Sequence, residues 1–306
     1  MAFRRGGGVR AMAAVFASTT YLDPVPNPLG TALAGLGGLD LDGVELGSTH
    51  AWQADIARVA ASFPGRKLVH NYFPPARSEL IINLASADTG QRAASLDHAG
   101  HCLELAAEIG AELYTVHPGF MAEAVRPGHV KSESQAFDFD FAAASGTHAE
   151  AFDRMLDSLG RLSARAKALG VALAVETEGS MTKPDVLLLQ RPEEYHRLLG
   201  LLPDLGLTFN LAHTGLAAAT FGFAVADFIE CFGARFRAVE LSHNDGRRDL
   251  HAPIKAGSPV LDWVARLPEV PLILEFRGAT AADIAESVAL VRAAALQPPP
   301  TQVTSS

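Results

Sequence analysis

Val171-Ala172-Leu173-Ala174-Val175-Glu176 alternates bulky and small side chains residue by residue. Successive side chains of an extended strand point to opposite faces. Val171, Leu173 and Val175 therefore share one face, and Ala172, Ala174 and Glu176 the other. The branched apolar face suits packing against helices. The alanine face suits the cramped interior of a closed barrel, and Glu176 ends it with a carboxylate at the rim. Residues 206–210 repeat the arrangement with Gly206, Thr208 and Asn210, and residues 236–242 do so with Ala238 and Glu240.

Outward from this stretch, short apolar runs occupy 11–18, 42–46, 67–72, 111–117, 170–176, 205–210, 236–242 and 271–276. Between them lie amphipathic stretches near 51–61, 88–109, 147–169, 192–201, 220–233, 259–266 and 280–295, with a short Gly-rich one near 28–36. Strand then helix, repeated through the chain, predicts an α/β protein built as a single (β/α)8 TIM barrel. The competing open, doubly wound sheet would carry a Gly-rich phosphate loop after its first strand, and none follows the first run. The reading assigns 11–295 to the barrel, 1–10 to an N-terminal extension and 296–306 (LQPPPTQVTSS) to a disordered tail. Residues 118–146 are long for a strand-to-helix loop. With the aromatics of Phe137–Phe141 they read as a lid over substrate or as a contact between copies.

Hydrophobic content of 48% with 19% charged residues describes a globular chain with ample apolar surface for a closed core. No apolar run approaches the roughly 18 residues of a membrane span. The opening MAFRRGGGVRAMAAVFAS places arginines before an apolar stretch, but that stretch is short and reads better as a first strand than as an export signal. Cys102 and Cys231 are too few for a disulfide framework. They read as buried helical thiols, consistent with a cytoplasmic location. The net charge of −9 counts against a generally basic nucleic-acid surface, while leaving room for a local basic groove.

Active sites of this fold form at the C-terminal ends of the strands. Those positions hold His70, His117, Glu176, Asn210 with His213, Glu240 with His243, then Asp249, His251 and Glu275. A lone strand-end histidine is usually a hydrogen-bonded rim residue. Here imidazoles and carboxylates converge, the donor mixture of borderline divalent ions such as zinc, manganese, iron or cobalt. Carboxylates at a closed rim would also repel one another without cations between them. Other positions have plainer readings. Glu178 is an acceptor behind a ligand histidine or an exposed loop residue, and Glu45 a substrate contact. Lys183, Arg247, Arg248 and Lys255 are anion contacts or solvated charges. His98, His101 and His196 are solvent-facing helical residues.

The motifs fall in a recognisable order: VHNYF at 69–73, INLAS at 82–86, VHPG at 116–119, VETEG at 175–179, NLAH at 210–213, SHNDGRRDLH at 242–251 and LEF at 274–276. Over roughly residues 40–280 the chain resembles the xylose-isomerase-like superfamily, which holds endonuclease IV and many sugar isomerases and epimerases. The resemblance implies one metal site at His70, His117 and Glu176 and another at His213, Asp249 and His251. A central site would share Glu176 and add Glu275. The sequence departs from the pattern there: Asn210 stands for the usual aspartate and Glu240 for the usual histidine, with His243 an alternative ligand in the following loop. A harder donor set would turn the central site toward manganese or magnesium. Two or three ions are expected in all.

Two chemistries follow. The first is a metal-dependent isomerase or epimerase acting on a sugar-like or hydroxy-carbonyl small molecule, with Glu176 and Glu275 as acid and base. The second is an endonuclease IV-type phosphodiesterase, favoured by the outer sites. The altered centre, the acidic balance and the lack of an evident cationic, aromatic loop for entering DNA count against it. A metal-stabilised binding protein ranks below both, because so many polar groups at one mouth are costly for stability alone. The expected partner is a small molecule rather than nucleic acid or membrane, and the sequence leaves a homo-oligomer open.

Overall fold

The computed structural model describes residues 13–78, 80–126, 140–141, 146–181 and 184–297. The N-terminal extension, nearly all of the tail, Lys183 and most of the 118–146 segment lie outside them, so the lid reading stays a sequence expectation. In chain order the described elements begin with β1 (Val15–Ser18), α1 (Leu29–Leu36), β2 (Gly43–Leu46), α2 (Ile56–Ala61), β3 (Arg66–His70), α3 (Thr89–Glu108) and β4 (Leu113–Val116). A short antiparallel pair, β5 (Ala124–Arg126) and β6 (Asp140–Phe141), precedes α4 (His148–Leu169) and β7 (Ala172–Glu176). The chain continues through α5 (Pro192–Leu201), β8 (Gly206–Asn210), α6 (Leu211–Phe221), α7 (Val225–Phe232), β9 (Phe236–Leu241), α8 (Leu261–Val264), β10 (Leu272–Leu274) and α9 (Ala281–Ala295).

Eight strands close into a parallel barrel in the order β1-β10-β9-β8-β7-β4-β3-β2. Phe16 of β1 sits in register with Gly43 on one side and Ile273 on the other, which seals the ring. The alternation in residues 171–176 sorts as its period requires. Val171, Leu173 and Val175 pack in the core between sheet and helices, while Ala174 joins Phe16, Leu68, Leu113, Ala238 and Ile273 inside the barrel. The Phe16 ring needs Gly43 opposite it, because a Cβ there would lie 2.2 Å from the ring. Beneath, the Arg66 guanidinium stacks 5.0 Å from that ring and pairs with Glu112 at 2.7 Å. Higher up, Thr115 and Thr208 share a hydrogen bond of 2.7 Å across the interior.

The helices start where short-range chemistry says they should. A capping box of Thr147 and Glu150 opens α4, and Gly170 closes it in the left-handed region at φ 71°. Thr280 and Asp283 cap α9 in the same way. The single helix expected near 220–233 is instead two, α6 and α7, separated at Gly222 with φ 75°. The difference arises because Asn210 both ends β8 and caps α6: its Oδ1 accepts from the backbone N–H groups of Ala212 and His213 at 3.1 Å each. No loop intervenes, and His213 rides on the first helical turn.

Two further expectations need correction. Cys102 is buried as expected, but Cys231 is exposed, because α7 turns Phe228, Ile229 and Phe232 inward. His98 is buried rather than solvent-facing and lies 6.4 Å from the Tyr72 ring. That burial lowers its pKa. His101 and His196 are exposed. Among the described residues no helix is long and apolar enough to cross a membrane.

Candidate metal centre

The inward face established by the strand period ends, strand by strand, in Ser18, Glu45, His70, His117, Glu176, Asn210, Glu240 and Glu275. All are buried except His117, which is partly open, and Glu45, Glu176, Asn210 and Glu240 are each 1% exposed. His213, Asp249 and His251 join them from α6 and from the loop after β9.

Three groups of ligand-type side chains form in this mouth, the ligand atoms of each lying within 4.8 Å of one another. In the first, one oxygen of Glu176, Oε2, faces Nε2 of His70 at 2.9 Å and Nε2 of His117 at 3.0 Å. Burial alone would raise Glu176, but His117, His213 and His70 hold it well below the usual carboxylate range. Burial likewise opposes charge on His117, and Glu176 with Glu178 overcomes it, raising that imidazole well above its ordinary value. Glu178 accepts from His117 Nδ1 at 2.5 Å, fixing the ring so that Nε2 points inward. Behind this pair Asn71, at φ 43°, accepts at its carbonyl from the Tyr114 hydroxyl at 2.9 Å.

The second group repeats the design. Oδ2 of Asp249 faces Nε2 of His213 at 3.0 Å and Nε2 of His251 at 2.7 Å. His213 Nδ1 lies 3.1 Å from the Thr177 carbonyl and 3.0 Å from Glu176 Oε1, and His251 Nδ1 lies 3.1 Å from Glu275 Oε2. Burial works against the charge of His251, yet Asp249 and Glu275 raise its pKa to about 9.

Between these groups the two departures from the expected pattern sit together. With Asn210 Oδ1 committed to the α6 backbone, its Nδ2 must face the carboxylates, donating to Glu176 Oε1 at 3.0 Å and Glu240 Oε2 at 2.9 Å. An amide N–H offers no ligand atom. Glu240 is pushed well above its usual value by burial and by the charges of Glu176, Glu275 and Glu45. His243 turns away: its Nδ1 lies 3.0 Å from Ser258 Oγ, and its backbone pairs with Ala252. Asn210, Glu240 and His243 are thus the three expected ligands that belong to none of the metal-binding groups among the described residues. Glu45 is the residue the sequence reading undervalued. It forms the third group with His70 and Glu275. Burial raises its pKa to about 7, tempered by His70 and weakly by the Ser18 hydroxyl.

The donor set suits divalent metal. Nitrogen and oxygen ligands at roughly 2.0–2.2 Å from zinc stand about 3–3.5 Å apart. In both outer groups one carboxylate oxygen lies 2.7–3.0 Å from two Nε2 atoms, at or slightly inside that spacing. Each outer imidazole other than His70 has its second nitrogen against a carbonyl or carboxylate oxygen, while His70 Nδ1 lies 3.4 Å from Ser48 Oγ. The rim cations are less suited to anions: Lys255 pairs with Asp283 at 2.6 Å and Glu286 at 2.8 Å, and Arg248 with Asp245 at 3.3 Å.

At the same mouth His50 bridges the loops after β1 and β2. Its Nδ1 faces Asn27 Oδ1 at 3.0 Å, leaving Nε2 to accept from the Thr19 hydroxyl at 2.7 Å. Burial lowers its pKa to about 4, so the folded protein holds it neutral. Because the folded value lies below the unfolded one, this site costs nothing at pH 7 and removes stability as pH falls from 6.5 toward 4. Urea unfolding at pH 7 and pH 4.5 should show the wild type losing about 2–3 kcal/mol more than His50→Gln across that interval. Equal losses would refute a neutral, buried His50.

A closed eight-stranded parallel barrel with histidines and carboxylates gathered at the C-terminal ends of its strands defines the class, a (β/α)8 barrel. The family model described as xylose isomerase-like TIM barrel matches residues 38–289, and the chain belongs to that family. No curated protein matches the sequence. Among solved structures, a D-tagatose 3-epimerase-like protein is similar, with 18% identity, 92% of this chain and 96% of that chain covered, and a TM-score of 0.66. A D-psicose 3-epimerase crystallised in the presence of D-fructose shares 14% identity over 92% of this chain and 96% of that one, with a TM-score of 0.62. A protein of Thermus thermophilus, soaked with zinc chloride, shares 21% identity over 90% and 97%, with a TM-score of 0.58. At these identities the likeness establishes the fold.

Proposed function

We propose that the chain is a divalent-metal-dependent isomerase or epimerase of a sugar-like or hydroxy-carbonyl small molecule. The observation that carries this reading is the recessed mouth in which Glu176, against His70 and His117, and Glu275, against His251, approach one space from different sides of the ring. Glu176 and Glu275 are kept low by histidines against the effect of burial, whereas burial raises Glu240 and Glu45. Glu176 and Glu275, ionised beside their histidines on strands three apart in the ring, face one mouth from different sides and are suited to moving a proton across a substrate between them. The tagatose- and psicose-epimerase names of similar folds support the same class.

A bound cation would polarise adjacent substrate oxygens and acidify the C–H between them. His70, His117, Glu176, His213, Asp249, His251 and Glu275 are the residues that would hold it. Glu275, ionised against His251, takes the proton from carbon. Glu176 comes from β7, three strands away round the ring, and faces His70, His117 and His213. It returns to the other side of the substrate a proton taken up from solvent, and Glu275 afterwards releases its own to solvent.

Phosphodiester hydrolysis is the second reading, favoured by the two outer histidine groups. The two are separated by running deuterium incorporation into polyhydroxy and keto compounds beside nicking of abasic-site DNA at matched enzyme concentration. Exchange of a carbon-bound proton with weak, salt-sensitive duplex binding is expected. Efficient nicking that His213→Ala abolishes, with no exchange across a broad sugar panel, would reverse the ranking.

A further inference from the structure

We propose that Glu45 is a ligand for a hard divalent cation of the manganese or magnesium type. Glu275 and His70 hold it with Glu45, to one side of the position between Glu176 and Glu240 that the Asn210 amide closes. Glu45 ends β2 on the inward face, is 1% exposed, and has neither carboxylate oxygen in a hydrogen bond. A buried carboxylate with no formed hydrogen bond and only the Ser18 hydroxyl weakly near it is costly, and a cation is the partner that its surroundings provide for. Its ligand atom lies within 4.8 Å of those of His70 and Glu275. Glu240 Oε1, also buried without a hydrogen bond, stands 3.9 Å from His70 Nε2 on the same side. A mostly oxygen donor set with a single imidazole selects a hard ion over zinc.

Asn210 explains the displacement. The backbone N–H groups of Ala212 and His213 fix its oxygen, so an N–H rather than a lone pair faces Glu176 and Glu240. That donor occupies the place an aspartate oxygen would offer to a cation. Nε2 of His70 donates to Glu176 Oε2 at 2.9 Å, and the same side chain belongs to both the Glu176 group and the Glu45 group.

The inference rests on reading the mouth as a metal centre, and the experiment separates the two. Full-length wild type, Glu45→Gln and Asn210→Asp are stripped of metal and titrated separately with manganese, followed by the electron paramagnetic resonance signal of free Mn2+, and with zinc, followed by elemental analysis. Glu45→Gln should weaken manganese binding at least tenfold with zinc uptake unchanged. Asn210→Asp should add one manganese per chain. Equal manganese affinity in wild type and Glu45→Gln overturns the role of Glu45. Unchanged stoichiometry in Asn210→Asp overturns the closing role of Asn210. A wild type that takes zinc but no manganese sinks this proposal alone, and one that takes neither sinks the metal-centre reading with it. Should Glu45→Gln fail to fold, the manganese affinity of wild type and the Asn210→Asp stoichiometry still decide the matter.

Discussion

Glu176→Ala is expected to lose the metal held with His70 and His117 and to lower the rate of proton exchange by about 10³-fold or more. Few side chains in the molecule meet as many partners. Oε2 faces His70 and His117, while Oε1 faces His213 at 3.0 Å and accepts from Asn210 at 3.0 Å. Removing the carboxylate leaves three imidazoles and an amide around an uncompensated gap, and takes away one of the two proposed proton carriers. Glu176→Gln keeps the volume and separates charge from packing; it should retain the fold but bind metal far less tightly. Elemental analysis after dialysis, combined with deuterium exchange, reads both effects. Full metal content together with exchange within tenfold of wild type would show that Glu176 neither ligates nor transfers the proton.

Gly179→Ala is the second large effect, and it acts through backbone. A Cβ at residue 179 would stand 1.9 Å from the carbonyl oxygen of His213, 2.8 Å from its carbonyl carbon and 2.9 Å from the Ala217 nitrogen. None of these atoms can swing aside as a side-chain end can. The loop after β7 and the first turns of α6 must part, carrying His213 away from Asp249 and Glu176. A loss of about 3 kcal/mol is expected in urea unfolding, with zinc binding at the His213–Asp249–His251 group weakened in parallel. Gly215→Ala on the same helix is the control, since a Cβ there meets nothing within 4 Å. A Gly179→Ala protein as stable as the control, with wild-type zinc affinity, would show that the close approach of loop and helix is not needed.

The barrel was legible in the chain because a strand's period of two is a local property. Val171, Leu173 and Val175 declare one face and Ala174 and Glu176 the other without reference to anything distant, and the observed cores divide along that line. The same period carries each inward face to its strand end. His70, Glu176, Glu240 and Glu275 were therefore legible as neighbours although up to some two hundred residues separate them in sequence. What resisted reading depends on groups brought together only by folding. The start of α6 was hidden because Asn210 serves strand and helix cap at once, and the side on which Cys231 and His98 lie is set by what each helix packs against. Glu45 looked like an ordinary strand-end acid until β2 closed beside β3 and brought it to His70 and Glu275. At Asn210 the sequence specifies an amide but not its orientation. The backbone N–H groups of Ala212 and His213, in the helix turn that follows it, decide which end faces Glu176 and Glu240. Residue types at strand ends were thus determined by sequence alone. Which of their atoms meet, and whether each meets a donor or a lone pair, was decided by hydrogen bonds that exist only in the closed barrel.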